Sequence, residues 1–202
     1  MKNVVTIYNK IAEKYDKEFP DKNEHIIMFL NLLPKGSKIL DVGCGVGGDV
    51  KFAASKGFKV VGIDASRNMV KIAKKNCPNA KLGVCDIKKI KFKPNSFDGI
   101  IAAFSLIHIH KKDVLKVIKK FHKILKNCGF IYIALQAGKS QEVYINEPLK
   151  PDEKLFFNIF SHREIEKILR DCDFSIINKF ERKPKCKSEM NFNKLFIIAK
   201  KV

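Results

Sequence analysis

Three acidic residues stand at or near the ends of three short apolar runs: Asp41 in Ile39-Leu40-Asp41-Val42, Asp64 after Val60-Val61-Gly62-Ile63, and Asp86 after Val84-Cys85. The first run leads straight into Gly43-Cys44-Gly45-Val46-Gly47-Gly48-Asp49. Gly43, Gly45 and Gly47 let the backbone turn tightly and approach a ligand, because a β-carbon would obstruct the contact and forbid several torsion angles. Asp64 follows the first glycine by about twenty residues, the spacing at which a carboxylate can accept both hydroxyls of a ribose. Asp86 offers an acceptor for an adenine amino group, with the backbone amide of Ile87 beside it. These residue types at this spacing describe a nucleoside site.

Such a site must be positioned by alternating strands and helices. β-Branched runs predict five strands, Lys38 to Val42, Lys59 to Ile63, Ala80 to Cys85, Phe97 to Ala103 and Gly129 to Leu135, most of them continuously apolar as expected of strands covered on both faces. Helical patterns fall between them at Val50 to Lys56, Ser66 to Asn76 and Lys112 to Lys126. The last buries Val114, Ile118, Phe121 and Leu125 and turns Lys112, Lys116, Lys119 and Lys123 to water. This is the βαβ signature of a parallel sheet with helices on both faces. Residues from about Gln136 to Phe160 break the pattern and read as an insertion or lid. Ser161 and Glu164 then form a capping box for a helix ending near Asp171. Two final strands, Phe174 to Phe180 and Phe192 to Lys200, flank the basic link Arg182 to Lys187 and suit an antiparallel hairpin at one sheet edge. The expected fold is α/β and Rossmann-like: a seven-stranded, mostly parallel sheet with an antiparallel edge hairpin, in one domain spanning residues 1–202.

A glycine turn with Asp64 would equally serve an NAD(P)-dependent oxidoreductase. Asp41 argues otherwise, since a carboxylate there repels a pyrophosphate but complements the cationic amino-acid end of S-adenosylmethionine. Asp86 also has no role in the dinucleotide reading, and Ser96 to Phe104 forms a fourth strand ending beside the same crevice. On these residues the chain resembles the class I S-adenosylmethionine-dependent methyltransferases, type 11/25-like. The resemblance rests on Leu40-Asp41-Val42-Gly43-Cys44-Gly45 with Gly47, Val61 to Ser66, Asp86, Phe97 to Ile100 followed by Leu106 to Ile109, and Gly129 to Ile133. The chain departs from many relatives at Cys128-Gly129, where they carry Pro-Gly-Gly. The resemblance implies S-adenosylmethionine as cofactor and S-adenosylhomocysteine as product. It places Gly43 and Gly45 along the methionine and ribose, Asp64 on the ribose, Asp86 and Ile87 at adenine, and Phe104 near the sulfonium. The expected lining also takes in Cys44, Ala65, Met69, Cys85, Ala103 and Tyr15. Residues 1–35 are expected to form a helical lid, with Tyr8, Ile11, Ala12, Tyr15 and Phe19 on one face, and residues 136–160 to cover the acceptor.

Direct displacement at a sulfonium needs alignment more than acid–base help. If a base is used, His108, His162 and Tyr144 are the candidates, although a histidine placed as His108 is more often hydrogen-bonded within the fold. Asp49 and Asp98 read as surface or strand-edge carboxylates.

The aromatic content of the covering segments favours a small acceptor with a nucleophilic O, N or S atom. The formal charge of +19 leaves an RNA- or protein-directed methyltransferase as the alternative, but the excess is almost all lysine, with only four arginines, and readers of nucleic acid favour the arginine fork. The six cysteines form no C-x-x-C pair, which argues against a metal site or disulfide scaffold and for reduced, mostly buried thiols. No apolar run reaches membrane-spanning length and no secretory leader is read, so the expected setting is cytoplasmic, as a monomer or homodimer.

Overall fold

The computed structural model describes residues 2–19, 23–185 and 189–202. Cys186 and Lys187 of the basic link, and residues 20–22 of the expected lid, lie outside the described residues. In chain order the elements are helices α1 (Lys2–Glu18) and α2 (Ile27–Asn31), strand β1 (Lys38–Val42), α3 (Gly48–Ser55), β2 (Lys59–Asp64), α4 (Arg67–Asn76), β3 (Lys81–Val84) and β4 (Phe97–Ala103). They continue with α5 (Lys111–Ile124), β5 (Leu125–Ala137), β6 (Gln141–Glu147), β7 (Lys150–Ile159), α6 (His162–Arg170), β8 (Phe174–Arg182) and β9 (Asn193–Lys201). The main sheet has seven strands in the order β3-β2-β1-β4-β5-β9-β8, with β3 to β5 parallel and β9 antiparallel to both neighbours.

Both faces of the sheet are apolar, so successive residues of a strand feed opposite cores. On β4, Ile100 and Ala102 pack with α1, α5 and α6, while Ile101 packs with Phe29 and Leu30 of α2 and Val50 and Ala53 of α3. Asp98, at the opening of the same strand, accepts from the amide of Lys38 at 2.8 Å and pairs with Lys126, the strand-edge role expected of it.

The structure differs from the expectations at three places. Helix α5 ends at Ile124 and β5 begins at Leu125, already paired with Phe97, whereas the apolar period runs on to Lys126. The strand then bulges, with Cys128 in the left-handed region at φ 59°, before resuming its pairing at Phe130. Residues 136–160 complete β5 and then form a β-hairpin, β6 with β7, closed at Pro148-Leu149. In β6 the more buried positions are Val143, Ile145 and Glu147. The buried carboxylate at the third of these hides the alternation that would have announced a strand. At the start of α6 only half of the capping box forms: Ser161 accepts from the amide of Glu164 at 3.2 Å, but the Glu164 carboxylate takes the ammonium of Lys111 at 2.6 Å. Of the described cysteines, all free, Cys44, Cys77 and Cys172 are buried, Cys85 is half-buried and Cys128 exposed.

Candidate active site

Parallel strands place their C-terminal ends along one edge, and where the chain reverses direction between neighbours a crevice opens there. Here that point lies between β1 and β4, and a cavity of about 350 Å³ occupies it. The glycine turn forms its floor. The amides of Gly43 and Cys44 donate to the Ile63 carbonyl at 2.7 and 3.0 Å, fastening the turn to the end of β2. Gly43 has φ 78°, and a β-carbon on it would lie 2.6 Å from that of Ser105. Gly45 is also left-handed, at φ 52°, but a β-carbon there would meet nothing within 4 Å. The first glycine is required by packing, and the second keeps space open.

Asp64 ties the two turns of the site together: one carboxylate oxygen accepts from the Gly45 amide at 3.0 Å and the other from the Ser66 amide at 2.8 Å. Asp41 is 1% exposed and its Oδ2 has no hydrogen-bond partner among the described residues. Burial, then the neighbouring Asp49 and Asp64 carboxylates, push its pKa well above the usual range. Asp64 is also raised, by burial, against the pull of its amide donors.

Helix α1 crosses over this floor. Asn9 Oδ1 accepts from Ser66 Oγ at 2.7 Å and from the Asn68 amide at 3.1 Å, and its carbonyl accepts from the Asn68 side chain at 2.8 Å. These bonds fix α1 on the start of α4, so that Tyr8, Tyr15 and Phe19 line the cavity, while Ile11 and Ala12 are buried in the core. The 3-10 turn Leu106–His108 and the β6–β7 hairpin complete the roof. His108 joins all three parts: its Nδ1 lies 3.0 Å from the Phe156 carbonyl and its Nε2 2.8 Å from the Tyr8 hydroxyl. A carbonyl only accepts, so Nδ1 carries the proton and Nε2 accepts from Tyr8. Burial lowers the His108 pKa to about 4, keeping the ring neutral, and raises the Tyr8 phenol well above its ordinary value.

Of the expected binding residues, Tyr15, Asp41, Gly43, Cys44, Gly45, Asp64, Ala65, Met69, Cys85, Ile87, Ala103 and Phe104 all line this cavity. Asp86 does not. Its carboxylate caps the 3-10 turn Ile87–Lys89, accepting from the Lys88 amide at 2.8 Å, while Cys85 and Ile87 on either side face inward. Among the base candidates only His108 lines the site. His162 is on α6 paired with Glu181, and Tyr144 is 62% exposed on the hairpin.

Several lining residues were not foreseen. Asp49, read as a surface carboxylate, faces the cavity near His25, with 3.8 Å between Asp49 Oδ1 and His25 Nε2. His25 also meets the Tyr132 hydroxyl at 2.9 Å, and burial with the nearby Arg182 lowers its pKa to about 4. Arg182, read as part of a basic link, lines the cavity and grips Glu189 with two bonds of 2.8 Å. Gln136 and Glu147 are 4% and 5% exposed and also face in. Gln136 and Lys194 are register partners at the cavity ends of β5 and β9, a placement that strand pairing alone would have revealed.

Glycine turn, acidic strand ends and roofed crevice together define a Rossmann-like nucleoside-binding α/β domain. Residues 39–129 match the family described as a methyltransferase domain. Among relatives, the chain is 38% identical over 122 residues to phosphoethanolamine N-methyltransferase 3 of Arabidopsis thaliana, covering 58% of this chain and 23% of that protein. It is 31% identical over 143 residues to the demethylmenaquinone methyltransferase of Staphylococcus epidermidis, covering 63% and 58%. The chain thus spans about a quarter and somewhat over half of these two relatives. The 1,6-didemethyltoxoflavin-N1-methyltransferase of Burkholderia thailandensis, solved with its acceptor and S-adenosylhomocysteine, superposes with a TM-score of 0.76 at 16% identity, covering 100% of this chain and 88% of that one. Residues 39–129 thus match a methyltransferase domain, the superposed structure shares the fold, and the cofactor to which this likeness points is S-adenosylmethionine.

The residues present fit that cofactor. Asp41 Oδ2 is a buried acceptor without a donor, suited to a cationic ligand, and the free space over Gly45 admits a ligand at the backbone.

Proposed function

We propose that this protein transfers a methyl group from S-adenosylmethionine to a small molecule enclosed between α1, the β6–β7 hairpin and the cavity ends of β4, β5 and β9. The cofactor supplies an electrophilic methyl on a sulfonium. In this reading Asp41 complements its amino-acid end and Gly43, Cys44 and Gly45 give it a close backbone wall. Asp64 with Ala65 takes the ribose, Met69, Cys85 and Ile87 enclose the adenine, and Tyr15 covers it from α1. Ala103 and Phe104, at the end of β4, stand where the methyl passes to the acceptor.

The roofed cavity carries the small-molecule assignment. Its cover is bonded down at Asn9 and at the Tyr8–His108–Phe156 junction, leaving about 350 Å³, which suits ligands of metabolite size. The two relatives named for phosphoethanolamine and demethylmenaquinone are consistent with it. Incubating the protein with methyl-labelled S-adenosylmethionine and a cell extract, then separating metabolites from RNA and protein, tests this. Label in the metabolite fraction is expected, and label confined to RNA or protein would refute it. Titration calorimetry should show S-adenosylhomocysteine binding and NAD not binding.

A further inference from the structure

The cavity wall divides its charges unevenly. Its cations are already engaged: Arg182 by Glu189, and Lys194 by the carbonyls of Met190 and Phe192 at 2.6 Å each. Two of its acceptors are not. Among the described residues Gln136 Oε1 is buried without a partner, and Glu147 accepts from the Leu149 amide at 3.2 Å but forms no ion pair, its register partner Lys150 pairing instead with Asp152. Neither lies on the strands that carry Asp41 and Asp64. Asp41 and Asp64 end β1 and β2, whereas Gln136 ends β5, across β4 from them, and Glu147 ends β6 in the roof.

Beside Glu147 runs a continuous aromatic wall. Phe19, Tyr15, Tyr8, His108 and Phe157 follow one another with ring centroids 4.7, 6.2, 5.2 and 4.8 Å apart, and all five line the cavity. Glu147 is close enough for its charge to raise the pKa of both tyrosines. All five rings are neutral at physiological pH. A carboxylate, an unpartnered amide oxygen and aromatic faces suit a ligand that is a hydrogen-bond donor and a cation. An anionic or purely accepting group would leave Gln136 Oε1 without a donor, at the penalty of a buried unsatisfied polar group, and would set its charge or lone pairs against the Glu147 carboxylate.

Building on the methyltransferase reading, we propose that the methyl acceptor is an amine that enters as its ammonium ion, held by Glu147 and Gln136 against the Tyr8–Tyr15 wall. Before transfer, an N–H bond of the ammonium breaks and its proton passes to a Glu147 carboxylate oxygen. The freed nitrogen lone pair then forms the bond to the methyl carbon while the electrons of the carbon–sulfur bond remain on sulfur. The positive charge ends on the product nitrogen and Glu147 is left protonated, so charge and protons balance. Burial, which raises the pKa of Glu147, improves it as a proton acceptor.

The test uses the full chain saturated with S-adenosylhomocysteine and three probes of one shape: 2-phenylethylamine, 2-phenylethanol and phenylacetate. Affinities are read by ligand-observed NMR for the wild type, Glu147→Gln and Gln136→Met. The amine should bind at least about tenfold more tightly than either analogue, the worth of one charge-assisted hydrogen bond. Glu147→Gln, isosteric and still able to accept from Leu149, should reduce that preference to about threefold or less. Gln136→Met, on a different element, should lower it about threefold, so the result does not depend on one variant folding. Equal or tighter binding of the alcohol or carboxylate, no binding of any probe, or an unchanged preference in Glu147→Gln would overturn the amine assignment alone. If the wild type does not bind S-adenosylhomocysteine at all, the methyltransferase reading fails and this inference falls with it.

Discussion

Gly43 and Gly45 lie two residues apart in one turn, share a left-handed backbone, and should respond to the same substitution in opposite ways. An alanine in that conformation costs about 1 to 2 kcal/mol at either position. At Gly45 that strain is the whole effect on folding, because the added methyl meets nothing within 4 Å. At Gly43 the methyl would sit 2.6 Å from Ser105 Cβ, a backbone-anchored atom that cannot swing aside. Such overpacking adds about 1 to 3 kcal/mol. With about 2–4 °C per kcal/mol for a chain of this length, Gly45→Ala should lower the melting temperature by about 4 °C and Gly43→Ala by about 10 °C. Binding should show the reverse order of sensitivity. The room over Gly45 is assigned to the cofactor, so its methyl should weaken S-adenosylhomocysteine by about 10- to 100-fold, an overpacking energy read as affinity. Thermal unfolding without ligand and calorimetric titration with it measure the two effects separately. If Gly45→Ala binds within threefold of wild type, the open space does not belong to the cofactor. If Gly43→Ala melts no earlier than Gly45→Ala, the contact with Ser105 has been misjudged.

The other predictions concern buried titrating groups and the lid. Because burial and the Asp49 and Asp64 charges raise the folded pKa of Asp41, its contribution to stability is full below the unfolded value near 4 and is lost as pH rises through the folded one. Asp41→Asn should therefore match wild type near pH 4, melt higher at pH 8, and bind S-adenosylmethionine more weakly; equal melting at pH 8 would show that the buried charge imposes no strain. His108 has the opposite sign: with its pKa lowered to about 4, stability is full above about pH 6.5 and declines as pH falls, by about 2 kcal/mol between pH 7 and 5. Urea unfolding should show that loss in wild type and a smaller one in His108→Gln, and identical slopes would remove His108 from the account. Asn9→Ala deletes both side-chain bonds holding α1 to Ser66 and Asn68. It should speed hydrogen exchange in residues 2–18 and weaken S-adenosylhomocysteine about threefold to tenfold, and unchanged exchange would mean α1 is held by packing alone.

What the sequence disclosed and what it concealed follow from how local each signal is. The first four strands and the glycine turn are written in contiguous residues, so each was placed within a residue or two. The end of α5 was not, because Leu125 satisfies the helical period and the strand equally; its pairing with Phe97 decides the matter. Asp86 ends its run as a ligand residue should, yet the 3-10 turn that follows needs an N-cap, and that local demand takes one of its carboxylate oxygens. Glu147 was invisible for a different reason. A glutamate on a β-strand reads as an outward residue, and only the fold of the hairpin over the crevice turns this one inward. Arg182 was read only as part of a basic link and Lys194 only as a strand position, because their partners Glu189, Met190 and Phe192 are gathered by the β8–β9 connection rather than by any periodic pattern.

The division between legible and hidden residues is also a division of labour in the site. Asp41, Gly43, Gly45, Asp64, Cys85 and Phe104 all fall within residues 39–129, the stretch that matches the methyltransferase domain. Tyr8, Tyr15, Gln136, Glu147, Arg182 and Lys194 all fall outside it, on α1, the far end of β5, the hairpin and the last two strands. One half of the cavity thus lies within the stretch that matches the methyltransferase domain and the other half outside it, and in the proposed reading the second half receives the acceptor. The electrostatics agree. The chain is lysine-rich, with a net charge of +19, yet among the described residues neither Asp41 nor Glu147 of the cavity forms an ion pair, while Arg182 and Lys194 are engaged by the protein itself. Surface lysines are screened within about 8 to 10 Å at physiological salt, whereas buried carboxylates act at contact range. A cationic ligand therefore meets a local field opposite in sign to the molecule's net charge, and binding it relieves the burial of carboxylates that the free protein must hold unpaired.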